Sequence, residues 1–310
     1  MMTETKPWLA IVNPQSAHGR TGKVWPRLYR EIIAAGFNLD YVCTQGPDDA
    51  TLLAAEALGR GQTRLLAVGG DGTVNEVLNG FFRNGTPLNP EAKLAIYGHG
   101  TGGDFLRTLG RPRTLADFLQ VLAAEDTVRL DVGEVNFLDA RANPRSRYFI
   151  NVADVGLGGE TAARVNRHSK RLGGRLSFLC GAVGSIITYR NKMMSCSVDG
   201  RVVAEGRLNS VMVANGRFFG GGMQIAPGAE PTDGLLDVVV LGDFSTPKLL
   251  YHLPKIYGGR HLGVDGVALH RGREVVVEAA ERALLELDGE QPGETPVKFT
   301  ILPAAIQVIR

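Results

Sequence analysis

Along the first 135 residues, short apolar runs alternate with amphipathic stretches. Trp8–Val12, Leu39–Cys43, Arg64–Val68 and Leu94–Tyr97 have the length and near-continuous apolar character of strands covered on both faces. Between them Gly22–Ala35, Asp48–Leu58 and Thr73–Phe82 read as helices, and Val74, Val77, Leu78 and Phe81 fall on one face of the last. This βαβ repetition predicts a parallel sheet with helices packed on it. Ligands of such sheets bind beyond the carboxyl ends of the strands. Four loops are predicted there: Asn13-Pro14-Gln15-Ser16-Ala17, Thr44-Gln45-Gly46, Gly69–Thr73 and Gly98–Asp104.

From about Asp139 the texture changes to alternating short strands with hairpin signals. Cys196 to Val203 carries an Asp199-Gly200 pair, which favours a two-residue type I′ turn. Asn209–Ala214, Leu235–Leu241, Glu274–Glu278, Ala283–Leu287 and Val297–Ile301 continue the pattern, so the second domain is expected to be a β-sandwich or barrel. The expected fold class is α/β plus β. Residues 1–135 form a parallel-sheet nucleotide-binding domain, residues 136–302 a β-sandwich domain, and a last strand, Ala305–Ile309, returns within 303–310 to complete the first.

Composition narrows the function. A chain of 310 residues, 44% apolar and 21% charged, has room for two soluble domains. The net charge of +2 gives no reason to expect a nucleic-acid partner. Cys43, Cys180 and Cys196 are far apart in apolar settings and are expected to be buried thiols of a reducing compartment. The six histidines show no zinc-site spacing. The N-terminus lacks signal-peptide character, and Leu176–Tyr189 is too short and polar to cross a bilayer. A cytoplasmic protein is expected.

The segment Leu65 to Gly80 holds the most chemistry. An apolar strand runs into Gly69-Gly70-Asp71-Gly72, whose glycines are expected to adopt positive φ and expose amide N–H groups. Thr73 is expected to cap the next helix, with Glu76 completing a capping box. The helix N-terminus suits phosphate oxygens and Asp71 suits an escorting Mg²⁺. A purely steric tight turn is the plainer alternative. The pattern is neither a Walker loop nor the GxGxxG fingerprint. A second turn, Gly98 to Phe105, brings Thr101 and Asp104 to the same sheet edge. Two Mg²⁺-competent carboxylates near a phosphate turn suggest phosphoryl transfer, the alternative for Asp104 being a helix cap.

These motifs resemble the diacylglycerol kinase catalytic-domain family, and within it the bacterial soluble diacylglycerol and YegS-type lipid kinases. The matching residues are Gly69-Gly70-Asp71-Gly72-Thr73 with Asn75-Glu76, Gly100-Thr101-Gly102 with Asp104-Phe105, and Asp288-Gly289-Glu290. Asn13-Pro14, Asp131-Val132-Gly133 and Asn215-Gly216 to Asp233-Gly234 follow in the family's order, over nearly the whole chain. The resemblance implies an ATP- and Mg²⁺-dependent kinase that phosphorylates diacylglycerol or a related lipid alcohol in a cleft between the two domains. Asn13, Pro14, Gln15, Ser16, Thr44, Gly69, Gly70, Asp71, Gly72, Thr73, Asn75, Glu76 and Thr101 would hold ATP. Asp71 and Asp104 would organise catalytic Mg²⁺, Asp131 would join their network, and Glu290 would be the general base.

The resemblance also implies a structural Mg²⁺ loop, with the Asp233 carboxylate and the backbone carbonyls of Glu230 and Leu235 as ligands; a turn aspartate before a strand is the plainer alternative. The chain departs from the family's pattern at Gly103, usually Asn, and at Ala17, usually Gly. NAD kinase shares the glycine turn and is the nearest rival, while a non-catalytic nucleotide-binding regulator is a rival of another class. A basic stretch holding Arg164, Arg167, Lys170, Arg171 and Arg175 precedes the apolar Leu176–Leu179. It suits contact with an anionic membrane, where a lipid substrate is met, or else it is a solvated helix face. Homodimerisation is compatible with all of these.

Overall fold

The computed structural model describes residues 7–98, 103–110, 114–168 and 184–310. The chain divides into two compact units, Met1–Leu130 with Ala304–Arg310, and Asp131–Pro303.

The first unit begins β1 (Trp8–Val12), α1 (Arg20–Ala34), β2 (Leu39–Cys43), α2 (Asp49–Gly59), β3 (Arg64–Gly69), α3 (Asp71–Asn79). It continues with a small hairpin, β4 (Phe82–Arg83) and β5 (Thr86–Pro87), then β6 (Lys93–Gly98), α4 (Asp104–Thr108) and α5 (Leu115–Ala124). β2, β1, β3 and β6 lie side by side and parallel, and the end of the chain's last strand joins β6 through Gln307 and Val308. Val12 pairs with Cys43 and with Val68, and Gly69 pairs with Gly98. This register puts the carboxyl ends of four strands in step, so the loops that leave them start at one level.

The apolar strand residues make the core, as their continuous pattern requires. Ala10, Val12, Leu66 and Val68 pack with Trp25, Leu28 and Ile32 of α1 and Phe118 and Leu122 of α5. Burying each large side chain contributes roughly 1.5–3 kcal/mol relative to leaving it exposed. α5 starts from a capping box in which Thr114 Oγ1 accepts from the Asp117 N–H and Asp117 Oδ2 accepts from the Thr114 N–H, at 3.1 and 2.9 Å. β2 lies at the edge, and Asp40, Tyr41 and Cys43 are exposed on it. The expectation that the cysteines are buried therefore fails for Cys43 and holds for Cys196; Cys180 lies outside the described residues.

The second unit is built from β7 (Thr127–Leu138), β8 (Pro144–Phe149), β9 (Val152–Gly156), β10 (Lys192–Val198), β11 (Arg201–Leu208) and β12 (Ser210–Ala214). β13 (Leu236–Leu241), β14 (Val267–Gly272), β15 (Glu274–Ala279), β16 (Leu284–Leu287) and β17 (Glu290–Ile309) complete it, with helices α6 (Leu157–His168) and α7 (Thr246–Ile256). Two runs of paired strands, β14-β13-β12-β9-β16 and β11-β10-β15, both meet β17, which also pairs with β7. Their inner faces enclose Val155, Val211, Val238, Val277, Leu285 and Val297, with Phe149 and Phe299 packed edge to face at 5.9 Å. This is a β-sandwich core. Asp199 and Gly200 have φ of 48° and 77°, the type I′ turn expected between β10 and β11. Among the described residues no helix is long and apolar enough to cross a membrane.

Candidate active site

The glycine turn after β3 differs from its sequence expectation in two ways. Gly69, Gly70 and Gly72 do not adopt positive φ; Gly70 is extended, at φ −94°. Gly69 is needed because a Cβ there would run into the Thr73 side chain, while Gly70 faces open space. The helix also starts two residues early: Asp71 is its first residue and Thr73 sits buried inside it. Thr73 is thus no cap, and its Oγ1 accepts from Asn13 Nδ2 at 3.0 Å, tying the first loop to α3. Glu76 closes no capping box; its Oε2 accepts the Ala50 N–H at 3.2 Å, at the N-terminus of α2, where a carboxylate is favoured.

The other positions expected to hold ATP are arranged by local hydrogen bonds. Asn13 Oδ1 accepts the Gln15 N–H at 3.0 Å, and Ser16 Oγ donates to Thr21 Oγ1 at 2.6 Å. The Pro14 carbonyl accepts the Gly22 N–H at 3.1 Å, the N–H of buried Thr44 donates to the Val12 carbonyl at 2.9 Å, and Oδ1 of buried Asn75 accepts from Asn79 Nδ2 at 3.1 Å. Ala17 has φ 52°, a left-handed conformation that glycine adopts more readily. Thr101 lies outside the described residues.

Asp71 and Asp104 are brought together. Asp71 Oδ2 accepts the Gly103 N–H at 2.9 Å, and the Asp104 N–H also points to it, so Asp71 holds the start of α4. Burial, and then the charge of Asp104, raise the Asp71 pKa; these two N–H groups and Arg107 oppose the shift. Asp104 is buried, with Arg107 Nη1 3.6 Å from its Oδ1. Gly103 takes φ 65°. Asn and Gly are the residue types that best tolerate that conformation, so Gly at this position keeps the turn. Two neighbouring carboxylates withdrawn from water are a donor set that fits a hard divalent cation.

In the second unit, buried Asp131 is fixed by its N–H donating to the Pro231 carbonyl and by its Oδ2 accepting the Gly234 N–H, at 2.8 and 2.7 Å. Asp233 Oδ1 accepts the Leu235 N–H at 3.0 Å, and its other oxygen is paired with the Arg271 guanidinium. Arg271 Nε also lies 3.4 Å from buried Asp237. The Glu230 carbonyl accepts the Asp233 N–H at 3.3 Å, and its side chain pairs with Arg217 at 3.0 Å. Of the oxygens expected to hold a structural Mg²⁺, the Asp233 carboxylate and the Glu230 carbonyl thus already have partners, and a guanidinium supplies positive charge beside Asp233. A metal ion at Asp233 would have to displace Arg271, and among the described residues no cluster of three metal-ligating side chains occurs.

Glu290 opens β17, partly exposed, with Oε2 3.1 Å from Arg147 Nη1. Asp288 is buried and accepts the N–H groups of Ile150, Asn151 and Val152 at 3.1–3.2 Å, which pins the Asp288-Gly289 turn to the start of β9. Asn215 Nδ2 donates to the Asp131 and Ile150 carbonyls at 3.0 and 2.8 Å. Sequence reasoning missed Arg147, Arg271 and the buried acids Asp154 and Glu286. For the last two the signal was present, a single carboxylate inside an apolar strand run. Of the basic stretch, the Arg164 guanidinium donates to Thr188 Oγ1 at 2.8 Å, and the side chains from 166 to 183 lie outside the described residues.

Comparison with known proteins agrees with both units. Residues 7–135 match the diacylglycerol kinase catalytic domain, and residues 151–310 match the YegS C-terminal NAD kinase beta sandwich-like domain. A diacylglycerol kinase of Bacillus subtilis is 28% identical over 96% of this chain and 94% of its own. A probable YegS-like lipid kinase of Pseudomonas aeruginosa is 34% identical over 88% of this chain and 85% of its own. In fold, the crystal structure of a putative diacylglycerol kinase from Bacillus anthracis superposes with a TM-score of 0.77 at 24% identity, covering 99% of this chain and 98% of that one. Yeast NADH kinase is more distant, with a TM-score of 0.53 at 10% identity over 98% and 83% of the two chains. Matched by a family model in each of its two parts and by a relative 34% identical over most of both chains, the chain belongs to the diacylglycerol kinase and YegS-like family of lipid kinases.

Proposed function

We propose that this protein transfers the γ-phosphoryl group of ATP, with Mg²⁺, to a hydroxyl of diacylglycerol or a related lipid alcohol. The observation that carries the reading is the pairing of Asp71 with Asp104 at the carboxyl ends of β3 and β6, beside the N-terminus of α3. Bound Mg²⁺ would supply charge neutralisation for the phosphates. Asp71 and Asp104 would hold it. The amides around Gly70 and the start of α3 would take phosphate oxygens, and Asn13 would keep the first loop against that helix. Gln15, Ser16, Thr44 and Thr101 complete the proposed nucleotide contacts.

Glu290 is the proposed base, accepting the proton of the attacking hydroxyl at a carboxylate oxygen. Arg147 holds that carboxylate in place, and Asp288 holds the turn that presents it. Phosphoryl transfer passes through a loose transition state, so late proton acceptance and orientation suffice. Asp233 takes no part in metal binding in this reading, because Arg271 neutralises it. A cytoplasmic enzyme meeting its lipid at the inner membrane face, without nucleic acid, follows; a homodimer is compatible. The test is labelled ATP with Mg²⁺ and a total lipid extract, with NAD⁺ in parallel. Label in a chloroform-soluble product supports the proposal; label in NADP⁺ alone, or none, overturns it.

A further inference from the structure

α7 carries apolar side chains on two opposite faces. Inward, Leu249 and Ile256 are buried with Phe244, Val239 and Met212, and Leu253 packs against them. Outward, Leu250, Tyr251 and Tyr257 are 39%, 76% and 54% exposed, and Pro247 and Pro254 are exposed as well. Positions 247, 250, 251 and 254 form one stripe at helical spacing, with Tyr257 a turn further on. A surface helix ordinarily turns polar residues outward, so this stripe lacks the face that water would favour.

The charge carried by the helix and the turn after it has one sign. From Phe244 to Val264 the chain holds Lys248, Lys255 and Arg260 and no Asp or Glu. Lys255 Nζ lies 6.0 Å from the Tyr251 ring centre, while Lys248 Nζ lies 4.3 Å from that of Phe244 and donates to the Asp265 carbonyl. The bounding acids are Asp243, which accepts from Asn191 Nδ2 at 2.6 Å, and Asp265. Tyrosines place an apolar ring and a polar hydroxyl at the depth of lipid headgroups, and lysines reach lipid phosphates along their stems. A second copy of the chain would set two basic surfaces against each other.

We infer that the outer face of α7 docks this protein on an anionic lipid surface, an inference that rests on the lipid-kinase reading. The experiment is co-sedimentation of the full chain with phosphatidylglycerol-containing vesicles and with neutral phosphatidylcholine vesicles at low salt. Wild type is expected to partition to the anionic vesicles. L250S/Y251S/Y257S is expected to lose at least tenfold in partitioning, and K248Q/K255Q/R260Q on the order of 100-fold, with melting temperatures near wild type. Independently of those variants, the indole of Y251W should blue-shift on anionic vesicles and be quenched by brominated lipid.

Vesicle binding unchanged in the first triple variant, an unquenched Y251W indole, or a wild-type dimer that this variant turns into a monomer would overturn the inference. Phosphorylation of short-chain diacylglycerol in neutral detergent should be unchanged in both triple variants. Absence of that activity in wild type sinks the kinase reading, whatever the vesicles show.

Discussion

Asp154 on β9 and Glu286 on β16 stand directly opposite one another in the sandwich, both buried. Asp154 Oδ2 accepts the Gly158 N–H at 3.1 Å and Glu286 Oε1 accepts the Gly289 N–H. Burial pushes the Asp154 pKa up to about 7, and burial followed by the Asp154 charge raises Glu286 well above the ordinary carboxylate range. Burial and like charge both favour the protonated form of these two carboxyls.

That pair gives the protein a pH-dependent stability with a definite sign. The folded-state pKa of Asp154 lies above the unfolded value of about 4. Its stabilising contribution is therefore complete below about pH 4 and is lost as pH rises to about 7, a change on the order of 4 kcal/mol. Asp154→Asn, which cannot ionise, is expected to flatten this slope and to be the more stable protein at pH 8. Urea unfolding at pH 5 and pH 8 checks it; identical slopes for variant and wild type would show that the pair is ionised.

Glu290 and Asp288 should separate chemistry from architecture. Glu290→Gln is expected to lower kcat by roughly 10²–10⁴ while ATP affinity and melting temperature stay near wild type. Asp288→Ala leaves three buried N–H groups without their acceptor and is expected to cost about 3 kcal/mol or more. Retention of half the wild-type kcat by Glu290→Gln removes that residue from the mechanism.

Asp71→Asn is expected to abolish turnover and the rise in melting temperature caused by Mg·ATP. Without ligand, the variant should melt at or slightly above the wild-type temperature, because one of two repelling charges is gone. Thermal scans with and without Mg·ATP give both readouts. A ligand-free variant that melts well below wild type would mean that Asp71 serves the fold of the turn above all.

Arg271 predicts indifference to chelators. Wild type should melt at the same temperature in EDTA and in Mg²⁺, since the guanidinium already pairs with Asp233 and lies beside Asp237. Arg271→Gln is expected to lose about 1–2 kcal/mol, the pair being partly exposed, and to regain part of it in millimolar Mg²⁺. A wild-type protein that melts several degrees lower in EDTA would restore the structural ion.

The legible parts of this fold were those with short-range causes. Buried strands such as Leu65–Val68 announce themselves by continuous apolar residues, and the Asp199-Gly200 hairpin by its turn chemistry. What the sequence hid was set by partners far along the chain. Thr73 and Glu76 have the spacing of a capping box, yet Asn13 and Ala50 claim them once the sheet assembles. Asp233 has the setting of a metal ligand, and its partner Arg271 is brought over by the pairing of β13 with β14. Cys43 looks like a core thiol until β2 proves to be an edge strand.

The twenty-residue β17 bears on how the chain comes to be folded during synthesis. Its last residues pair with β6, joining Gln307 to Lys93 and Val308 to Leu94. While the ribosome is still making the second unit, the first presents β6 as a bare sheet margin, with its N–H and C=O groups open to stray strands. This margin of the first unit is sealed by residues 304–310, which emerge only after the whole second unit has been made. A first unit cut off at residue 130 should therefore be an aggregating species, and restoring 304–310 through a linker should cure it.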